Sequence, residues 1–575
     1  MSSPNHAIVE LIPDKAMYRP GEPVRLLVRG ASGEPLAGWA YEYAVLELIE
    51  ERARGRGVTC DDAVVELGSF AARSAGYGVF MTLTSPDGRT ATAETAFDTG
   101  EHWREAPRYG FLSDFAPDEA GRLDDVEFAR KRHLNFIQFY DWMYRHDRLL
   151  PDAEPFVDPL GRRISHNVVR EKINALRERG IASIAYAAVY GALPDYIERH
   201  PEQGLYQNNG KTHSLGNFFH IMDISADSDW TAHIIEQFVA AISAMGFDGL
   251  HLDQYGLPKK AIRHPSRGGD VVDLRELYPA FVDLVRERLP NAGLIFNNVS
   301  GFPVAATAQA RQDVMYIEVW DPATHLRDLK TTIDWARKLS GKHVVLAAYL
   351  PAFHPERQPD LPSAETGATL AMAAIFASGG YHLLLGEHGN VLADSYYPKY
   401  GTVSDRFAGT LARYYDFIVM YRELLFDHAL DDISMTHTGG INTEIVFAKE
   451  GAAFTPNGGP DAVWTIVKEK PGYLVLHLIN LCGVDNDVWH AGKTRRPKTL
   501  FDIEVKVEVW EAIEDIFLAT PDGDSIRPEA LAYEWTSKGE SAGDYVRFTL
   551  PRLDYWSMIV IRVRAGQPAP PPDLR

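Results

Sequence analysis

The feature that most restricts the fold of this chain is an alternation, between residues 109 and 424, of short apolar runs with amphipathic segments of helical length. Such alternation is typical of βαβ units and a parallel sheet. It predicts strands near Tyr109–Leu112, Phe136–Tyr140, Ala182–Ala188, Gly249–Leu252, Leu294–Phe296, Met315–Glu318, Val344–Tyr349 and Tyr381–Leu384. Eight strand–helix pairs match a closed (β/α)8 TIM barrel in number and size. An open doubly wound sheet is the alternative, but it usually begins with a glycine-rich turn, which this region lacks.

Short alternating strands separated by turn residues flank this region on both sides. The N-terminal part, from about Ile8 to Phe97, predicts a small β-sandwich with turns at Pro20-Gly21 and Pro86–Gly88. The strand pattern returns after about Asp427 and predicts a second sandwich. We therefore expect a multidomain chain divided into residues 1–104, 105–426 and 427–565, with a proline-rich, disordered tail at 566–575.

Charge and cysteine content argue against several classes of protein. The 79 acidic and 58 basic residues give a net charge of −21, which would repel nucleic acid, and no basic run offers a local exception. Cys60 and Cys482 are too few for a disulfide framework or a paired-cysteine metal site. No stretch approaches the roughly 20 apolar residues of a membrane span. We therefore predict neither a nucleic acid nor a membrane as partner.

The first 25 residues lack the apolar core of a signal peptide. As written, the sequence predicts a cytoplasmic location. A chain from which a leader had been removed would be secreted and would show the same residues.

Two predicted strands place a carboxylate at the open end of the barrel. In this fold catalytic groups lie at the carboxyl ends of strands, and residues two apart share a face. His251 and Asp253 share the inward face of the fourth strand. Tyr316, Glu318 and Trp320 share that of the sixth.

These two carboxylates suggest a glycosidase with divided roles. Only one strand separates the fourth from the sixth, which is compatible with the roughly 5–5.5 Å carboxyl separation of a retaining enzyme. Glu318, between two aromatic residues, would have a raised pKa and act as general acid/base. Asp253, beside His251 and open loop residues, would stay ionised and act as nucleophile.

Other interpretations of these residues remain open. Either carboxylate could cap a helix or pair with a neighbouring base. The His251-x-Asp253 pair could ligate a metal ion. A metal centre would need ligands at further strand ends, and the first, third and fifth strands offer none clearly. We therefore predict no metal and no cofactor.

The second strand ends in an aromatic and polar cluster that could bind sugar rings. Aromatic faces with hydrogen-bonding groups at their rim are typical of carbohydrate sites. Its candidate residues are Tyr140, Asp141, Trp142 and His146, and a packed loop anchored by Trp142 and Tyr144 is the alternative. Weaker candidates at other strand ends are Tyr186, Tyr190, His251, Asn297, Trp320, Tyr349 and Glu387. In the C-terminal region, Trp489 and Trp535 could form a platform, but we expect them to be buried.

Five of these segments together resemble glycoside hydrolase family 66, which holds endo-dextranases and cycloisomaltooligosaccharide glucanotransferases. They are Tyr109–Phe115, Gln138–His146, Phe247–Asp253, Tyr316–Trp320 and Val344–Tyr349. The resemblance implies an N-terminal immunoglobulin-like domain, a barrel and a C-terminal sandwich. It also implies retaining cleavage of α-1,6-linked glucan, with Asp253 as nucleophile and Glu318 as acid/base.

The same resemblance bears on the substrate and the product. Cyclising members typically carry a carbohydrate-binding domain inserted in the barrel region, and the segments between strands here are too short to hold one. This favours hydrolysis of dextran or isomaltooligosaccharides, or transfer to short acceptors, over cyclisation. Inside a cell the enzyme would meet imported linear or cyclic isomaltooligosaccharides. A transglycosylase of the same family, a non-catalytic glucan-binding protein and a metal-dependent hydrolase are the alternatives.

Overall fold

The computed structural model describes residues 9–30, 32–395, 400–536 and 545–569. Its centre is an eight-stranded parallel sheet that closes almost completely into a barrel, with strands ordered around it as they are along the chain. The strands are Tyr109–Leu112, Phe136–Phe139, Ala182–Ala188, Gly249–Asp253, Gly293–Asn297, Val314–Glu318, Val344–Ala347 and Tyr381–His382. The predicted (β/α)8 fold is confirmed.

Helices follow the strands and pack around the sheet. They are Asp124–Lys131, His166–Glu178, Asp229–Met245, Leu274–Arg288, Val304–Thr307, Leu326–Ser340, Leu361–Ser378, Asp405–Met420 and Arg422–Leu425. Local sequence sets their ends. The helix Leu326–Ser340, for example, begins at a capping box formed by His325 and Asp328 and ends at Gly341 in the left-handed conformation.

The seam between the eighth strand and the first is bridged by one buried carboxylate. Glu387 accepts hydrogen bonds from the backbone nitrogens of Ser113 and Asp114. Its second oxygen accepts one from the Ser113 hydroxyl at 2.9 Å. Burial raises the pKa of Glu387, and these hydrogen bonds oppose that rise. The side chain therefore joins the two ends of the barrel sheet.

Two excursions lie over the open end of the barrel. The first follows the third strand and contains Gly191–Ala192, Pro194–Arg199, Leu205–Tyr206, Ser214–Leu215 and Phe219–Ile221. The second follows the fourth strand and contains Lys260–Arg263 and Val271–Asp273, which join Leu205–Tyr206 in one small sheet. Strands of two to four residues have no measurable periodicity, so sequence analysis did not predict them.

The N-terminal region forms the expected sandwich. Its strands are Val9–Pro13, Pro23–Gly30, Ala40–Glu47, Glu50–Val58, Val64–Ser69, Ala75–Thr84 and Thr90–Thr99. The first, second and fifth form one sheet, and the fourth, third, sixth and seventh form the other, as in an immunoglobulin-like fold. Sequence analysis predicted neither Glu50–Val58, which is a charged edge strand without apolar alternation, nor the six-residue strand Val64–Ser69.

A buried ion cluster fastens this sandwich to the barrel. Asp98, from the last strand of the sandwich, accepts two hydrogen bonds from the Arg108 guanidinium, at 2.8 and 2.9 Å. Arg422, after the last long barrel helix, donates a third at 2.8 Å. All three side chains are at most 5% exposed.

The C-terminal region is a second two-sheet sandwich. One sheet contains Asp431–Asp432, Ala453–Thr455, Ala462–Lys470, Tyr473–Asn480, Glu511–Ala519, Glu529–Ala530 and Trp556–Pro568; the other contains Ile445–Ala448, Leu500–Glu508, Tyr533–Thr536 and Tyr545–Leu553. Because the last strand continues to Pro568, the predicted tail begins too early. The rest of that tail, 570–575, lies outside the described residues.

One connection of this sandwich, residues 481–499, leaves it and lies on the barrel; we call it the connecting segment. It forms an isolated bridge between Val488 and His325, at the start of a barrel helix. No helix in the described part of the chain is long and apolar enough to cross a membrane.

Candidate active site

Two carboxylates meet around one amide at the open end of the barrel. Asn297 Nδ2, at the end of the fifth strand, donates to Asp253 Oδ1 at 2.8 Å and to Glu318 Oε2 at 3.2 Å. These two oxygens are therefore no more than about 6 Å apart. Tyr186 donates from its hydroxyl to the other oxygen of Asp253 at 2.7 Å. Strands three to six thus supply one interacting group.

The surroundings of the two carboxylates affect their pKa values differently. Burial raises the pKa of Asp253, and hydrogen bonds from Tyr186 and Asn297 oppose that rise. Burial and the negative charge of Asp253 raise the pKa of Glu318 to about 7, although Asn297, Trp320 and Tyr349 donate to it. Because the pKa of Glu318 is raised to about 7, while hydrogen bonds from Tyr186 and Asn297 favour the ionised form of Asp253, Glu318 is the group that retains a proton near neutral pH.

His251 lies deeper in the barrel, two residues before Asp253. Its Nδ1 is 3.0 Å from the Tyr109 hydroxyl, and its ring makes an edge contact with Tyr316. Burial lowers its pKa to about 3, so the imidazole is neutral at ordinary pH. Among the described residues, no group of three or more His, Cys, Asp or Glu side chains is arranged to hold a metal ion.

The carboxylates open into a cavity of about 400 Å³, a size suited to sugar units. Most of the binding residues predicted from sequence line it, namely Tyr140, Asp141, His146, His251, Asn297, Trp320 and Tyr349. Trp320 is 40% exposed and its ring centre lies 5.9 Å from that of Tyr349. The cavity thus combines aromatic faces with carboxylate, amide and hydroxyl groups.

One wall of the cavity is built from residues distant in sequence. The His146 ring stacks on Phe219 of the first excursion, with ring centres 4.1 Å apart. Arg162 Nη2 donates to Asp141 Oδ2 at 3.2 Å. Sequence analysis missed Arg162, which lies in a loop, and Phe219, which begins a three-residue strand, because the positions of both depend on tertiary contacts.

Trp142 lies outside the cavity, contrary to the sequence prediction. It is fully buried, and its indole nitrogen donates to the Tyr186 carbonyl oxygen at 3.1 Å behind the third strand. The reason is local. Asp141 has a φ of +49°, which interrupts the extended backbone, so the alternation of faces does not continue to Trp142.

Tyr190 and Glu387 also lie outside the cavity. Tyr190 is fully buried, donates to the Leu257 carbonyl oxygen at 2.9 Å and accepts from the Tyr255 nitrogen at 2.7 Å, so it positions the chain after the fourth strand. Glu387 is buried at the barrel seam. Both residues support the site without facing it.

Comparison with known proteins gives a consistent result. The sequence model described as glycosyl hydrolase family 66 matches residues 13–560. A cycloisomaltooligosaccharide glucanotransferase of Niallia circulans is 25% identical over 719 aligned residues, covering 96% of this chain and 72% of the relative. A dextranase of Streptococcus salivarius is 22% identical, covering 85% of this chain and 67% of the relative.

A solved structure also resembles this chain over its length. It is a Paenibacillus cycloisomaltooligosaccharide glucanotransferase complexed with cycloisomaltoheptaose, with a TM-score of 0.84 and 23% identity. The match covers 96% of this chain and 100% of the other. At this identity the likeness establishes the shared fold.

Proposed function

The chain belongs to glycosyl hydrolase family 66, and from this premise we propose that it cleaves α-1,6-glucosidic bonds of dextran or isomaltooligosaccharides with retention of configuration. Asp253 is the nucleophile and Glu318 is the general acid/base. The main support for the proposal is that both carboxylates accept a hydrogen bond from the Asn297 amide. The distance between Asp253 Oδ1 and Glu318 Oε2 is at most about 6 Å. This is shorter than the roughly 6.5–9.5 Å carboxyl separation of inverting glycosidases and is compatible with a retaining pair.

The proposed reaction has two displacements at one carbon. In the first, an oxygen of Asp253 attacks the anomeric carbon, and Glu318 gives its proton to the leaving O6 of the next glucosyl unit. This produces a β-linked glucosyl ester. In the second, ionised Glu318 takes a proton from water, the water oxygen bonds to the anomeric carbon, and Asp253 leaves. The new reducing end is α, and both carboxyls return to their starting states.

The protonation states support this division of roles. A group that donates a proton near neutral pH needs a pKa near 7, which is where burial and the charge of Asp253 place that of Glu318. The hydroxyl of Tyr186 and the amide of Asn297 favour the ionised form of Asp253. Both donors are neutral, so they orient the nucleophile without neutralising it.

Transfer to a sugar hydroxyl is the second candidate, because two of the relatives are glucanotransferases. The alignment with one of them extends over 719 positions, more than the 575 residues of this chain. That relative therefore contains residues within the aligned region that this chain lacks. This difference favours water, or a short acceptor, as the second reactant. The size distribution of products distinguishes the two reactions.

The test is proton NMR of the enzyme with linear isomaltooligosaccharides. We expect shorter sugars whose new reducing ends appear first as the α anomer, before mutarotation. Asp253→Asn, which keeps the shape of the side chain, should lose activity by at least about a thousand-fold, while the exposed control Asp118→Asn should remain active. Products that appear first as the β anomer would overturn the retaining mechanism. An inert wild-type enzyme would overturn the linkage specificity.

Azide distinguishes the two roles. With an activated isomaltoside, azide should restore turnover to Asp253→Ala and give a β-glycosyl azide, because it enters from the face that the nucleophile has vacated. With Glu318→Ala it should attack the glycosyl-enzyme from the opposite face and give the α-glycosyl azide. If Asp253→Ala gave the α-glycosyl azide and Glu318→Ala gave the β-glycosyl azide, the roles of the two carboxylates would be reversed.

A further inference from the structure

A second cavity, of about 310 Å³, adjoins the active-site cavity. Trp320 and Tyr349 line both cavities, so the two cavities lie next to each other. The barrel contributes Arg357 to its wall, and the connecting segment of the C-terminal sandwich contributes Trp489 and His490. Two domains thus build this cavity.

The connecting segment is held on the barrel by specific hydrogen bonds. The backbone nitrogen of Trp489 donates to the Thr324 carbonyl oxygen at 3.0 Å, and its indole nitrogen donates to that of Ala323 at 2.7 Å. Asp487 Oδ1 is 2.8 Å from His325 Nδ1. Trp489 is only 4% exposed, so it is an anchor rather than a platform. These contacts fix His490 at the edge of the cavity.

Gly367 permits the connecting segment to lie close against the barrel. A Cβ atom at Gly367, in the helix Leu361–Ser378, would lie 2.6 Å from the carbonyl oxygen of Ala491. Real Cβ atoms are not found so close to backbone, so any larger residue would displace the connecting segment. The contact between the connecting segment and the barrel therefore depends on Gly367, which lies outside both cavities.

The lining of the second cavity suits a neutral sugar. The Trp320 ring is 40% exposed and offers a face for stacking. His490 and the exposed Arg357 offer hydrogen-bond donors, and Asp321 and Asp394 offer acceptors. An aromatic face bordered by a few polar groups is a common arrangement for carbohydrate binding.

We propose that this second cavity is a binding subsite for a further glucosyl unit, and that the C-terminal sandwich contributes to it through His490. The inference rests on the proposed function, because it assigns to the cavity the same glucan that the carboxylates cleave. It makes the C-terminal sandwich part of substrate recognition. The activity should then depend on chain length in a way that residues of both domains control.

The test compares kcat/KM on isomaltooligosaccharides of increasing length for wild type, His490→Ala and Arg357→Ala. Each variant should lower kcat/KM about three- to ten-fold on the longest substrates, the effect of one lost hydrogen bond. The shortest cleaved substrate, which does not reach the second cavity, should change by less than about two-fold. Matched controls are His437→Ala, in the same sandwich, and the exposed Arg327→Ala.

Gly367→Ala adds a variant that alters no residue of either cavity. It should reproduce the length-dependent loss by displacing the connecting segment. An equal loss of kcat/KM at every length in His490→Ala and Arg357→Ala, or no loss at any length, would overturn the proposal.

A binding experiment separates failure of this subsite from failure of the proposed function. In an Asp253→Asn background, calorimetric titration with linear α-1,6-, α-1,4- and α-1,3-glucans measures affinity without turnover. If wild type cleaves no α-1,6-glucan, the proposed function fails. The subsite still stands if His490→Ala weakens binding of longer glucans of any linkage by three-fold or more, and it fails if affinity is unchanged.

Discussion

At the scale of single residues, the candidate site depends on Asn297. One side-chain nitrogen donates to both carboxylates, so its position limits the distance between them. Its hydrogen bonds also favour the ionised form of each carboxyl. Its own backbone is fixed by the parallel pairing of the fifth strand with the sixth, in which Asn297 lies opposite Tyr316.

We expect Asn297→Ala to lower kcat/KM by about 10- to 100-fold, since a hydrogen bond to a charged group is worth about 1.5–3 kcal/mol. Loss of the donor should also raise the pKa of Asp253 and of Glu318, because the amide favours both ionised forms. The pH–rate profile should therefore move to higher pH. Asn174→Ala, on an exposed helix face, is the control, and an unmoved profile would contradict the bridging role.

The pKa of Glu318 predicts the basic side of the pH–rate profile. The group must be protonated to act as acid, so kcat/KM should fall as pH rises through about 7. Removing the charge of Asp253 in Asp253→Asn should lower the pKa of Glu318, which carbon NMR of labelled glutamate can measure. A pKa of Glu318 that stays the same or rises in this variant would show that the two carboxyls do not interact.

At the scale of elements, strand ends explain which site residues can be predicted from sequence. Asp253 and Glu318 were predictable because their strands stay extended to the last residue, so alternation of faces holds. Trp142 was not, because the backbone turns at Asp141. The eighth strand has only two residues, so alternation could not indicate where Glu387 points. The barrel itself was predictable because apolar strands repeat, whereas the excursions and the connecting segment depend on contacts between distant segments.

Glu387 gives a prediction at this scale. Glu387→Ala should leave the backbone nitrogens of Ser113 and Asp114 without their acceptor and reduce the free energy of unfolding by about 2–4 kcal/mol. Activity per folded molecule should change by less than about three-fold, because the side chain lies outside the cavity. Calorimetry and kcat/KM measured on one preparation test this. Lost activity with unchanged stability would restore the substrate-binding role first assigned from sequence.

At the scale of the whole molecule, both sandwiches are fixed to the barrel, but by different contacts. The N-terminal sandwich is attached through the buried cluster of Asp98, Arg108 and Arg422. The C-terminal sandwich reaches the open end through its connecting segment. The first attachment stabilises the fold, and the second brings His490 to the second cavity.

Asp98→Asn should reduce the free energy of unfolding by about 3–5 kcal/mol, because two buried guanidinium groups lose their counter-charge. Burial opposes ionisation of Asp98, but the charges of Arg108 and Arg422 lower its pKa below the ordinary value. Its contribution is therefore present above the unfolded pKa of about 4 and is lost as pH falls through the folded value. Denaturant unfolding at pH 7 and at pH 3 measures both effects.

The exposed pair of Asp87 and Arg89 in the same sandwich is the matched control. Asp87→Asn should cost less than about 1 kcal/mol, as is usual for surface ion pairs. Equal effects of Asp98→Asn and Asp87→Asn would contradict the role of the buried cluster.

The neutral donors around Asp253 and Glu318, the proposed catalytic carboxylates, have a practical consequence. Tyr186 and Asn297 hold Asp253, and within the described ranges neither carboxylate is hydrogen-bonded to a lysine or an arginine. Dissolved ions weaken attraction between opposite charges, but they have little effect where the donors are uncharged and the proposed substrate is a neutral sugar. Turnover should therefore change little between dilute buffer and concentrated brine, and tolerance of ionic strength would follow from the way Asp253 is held.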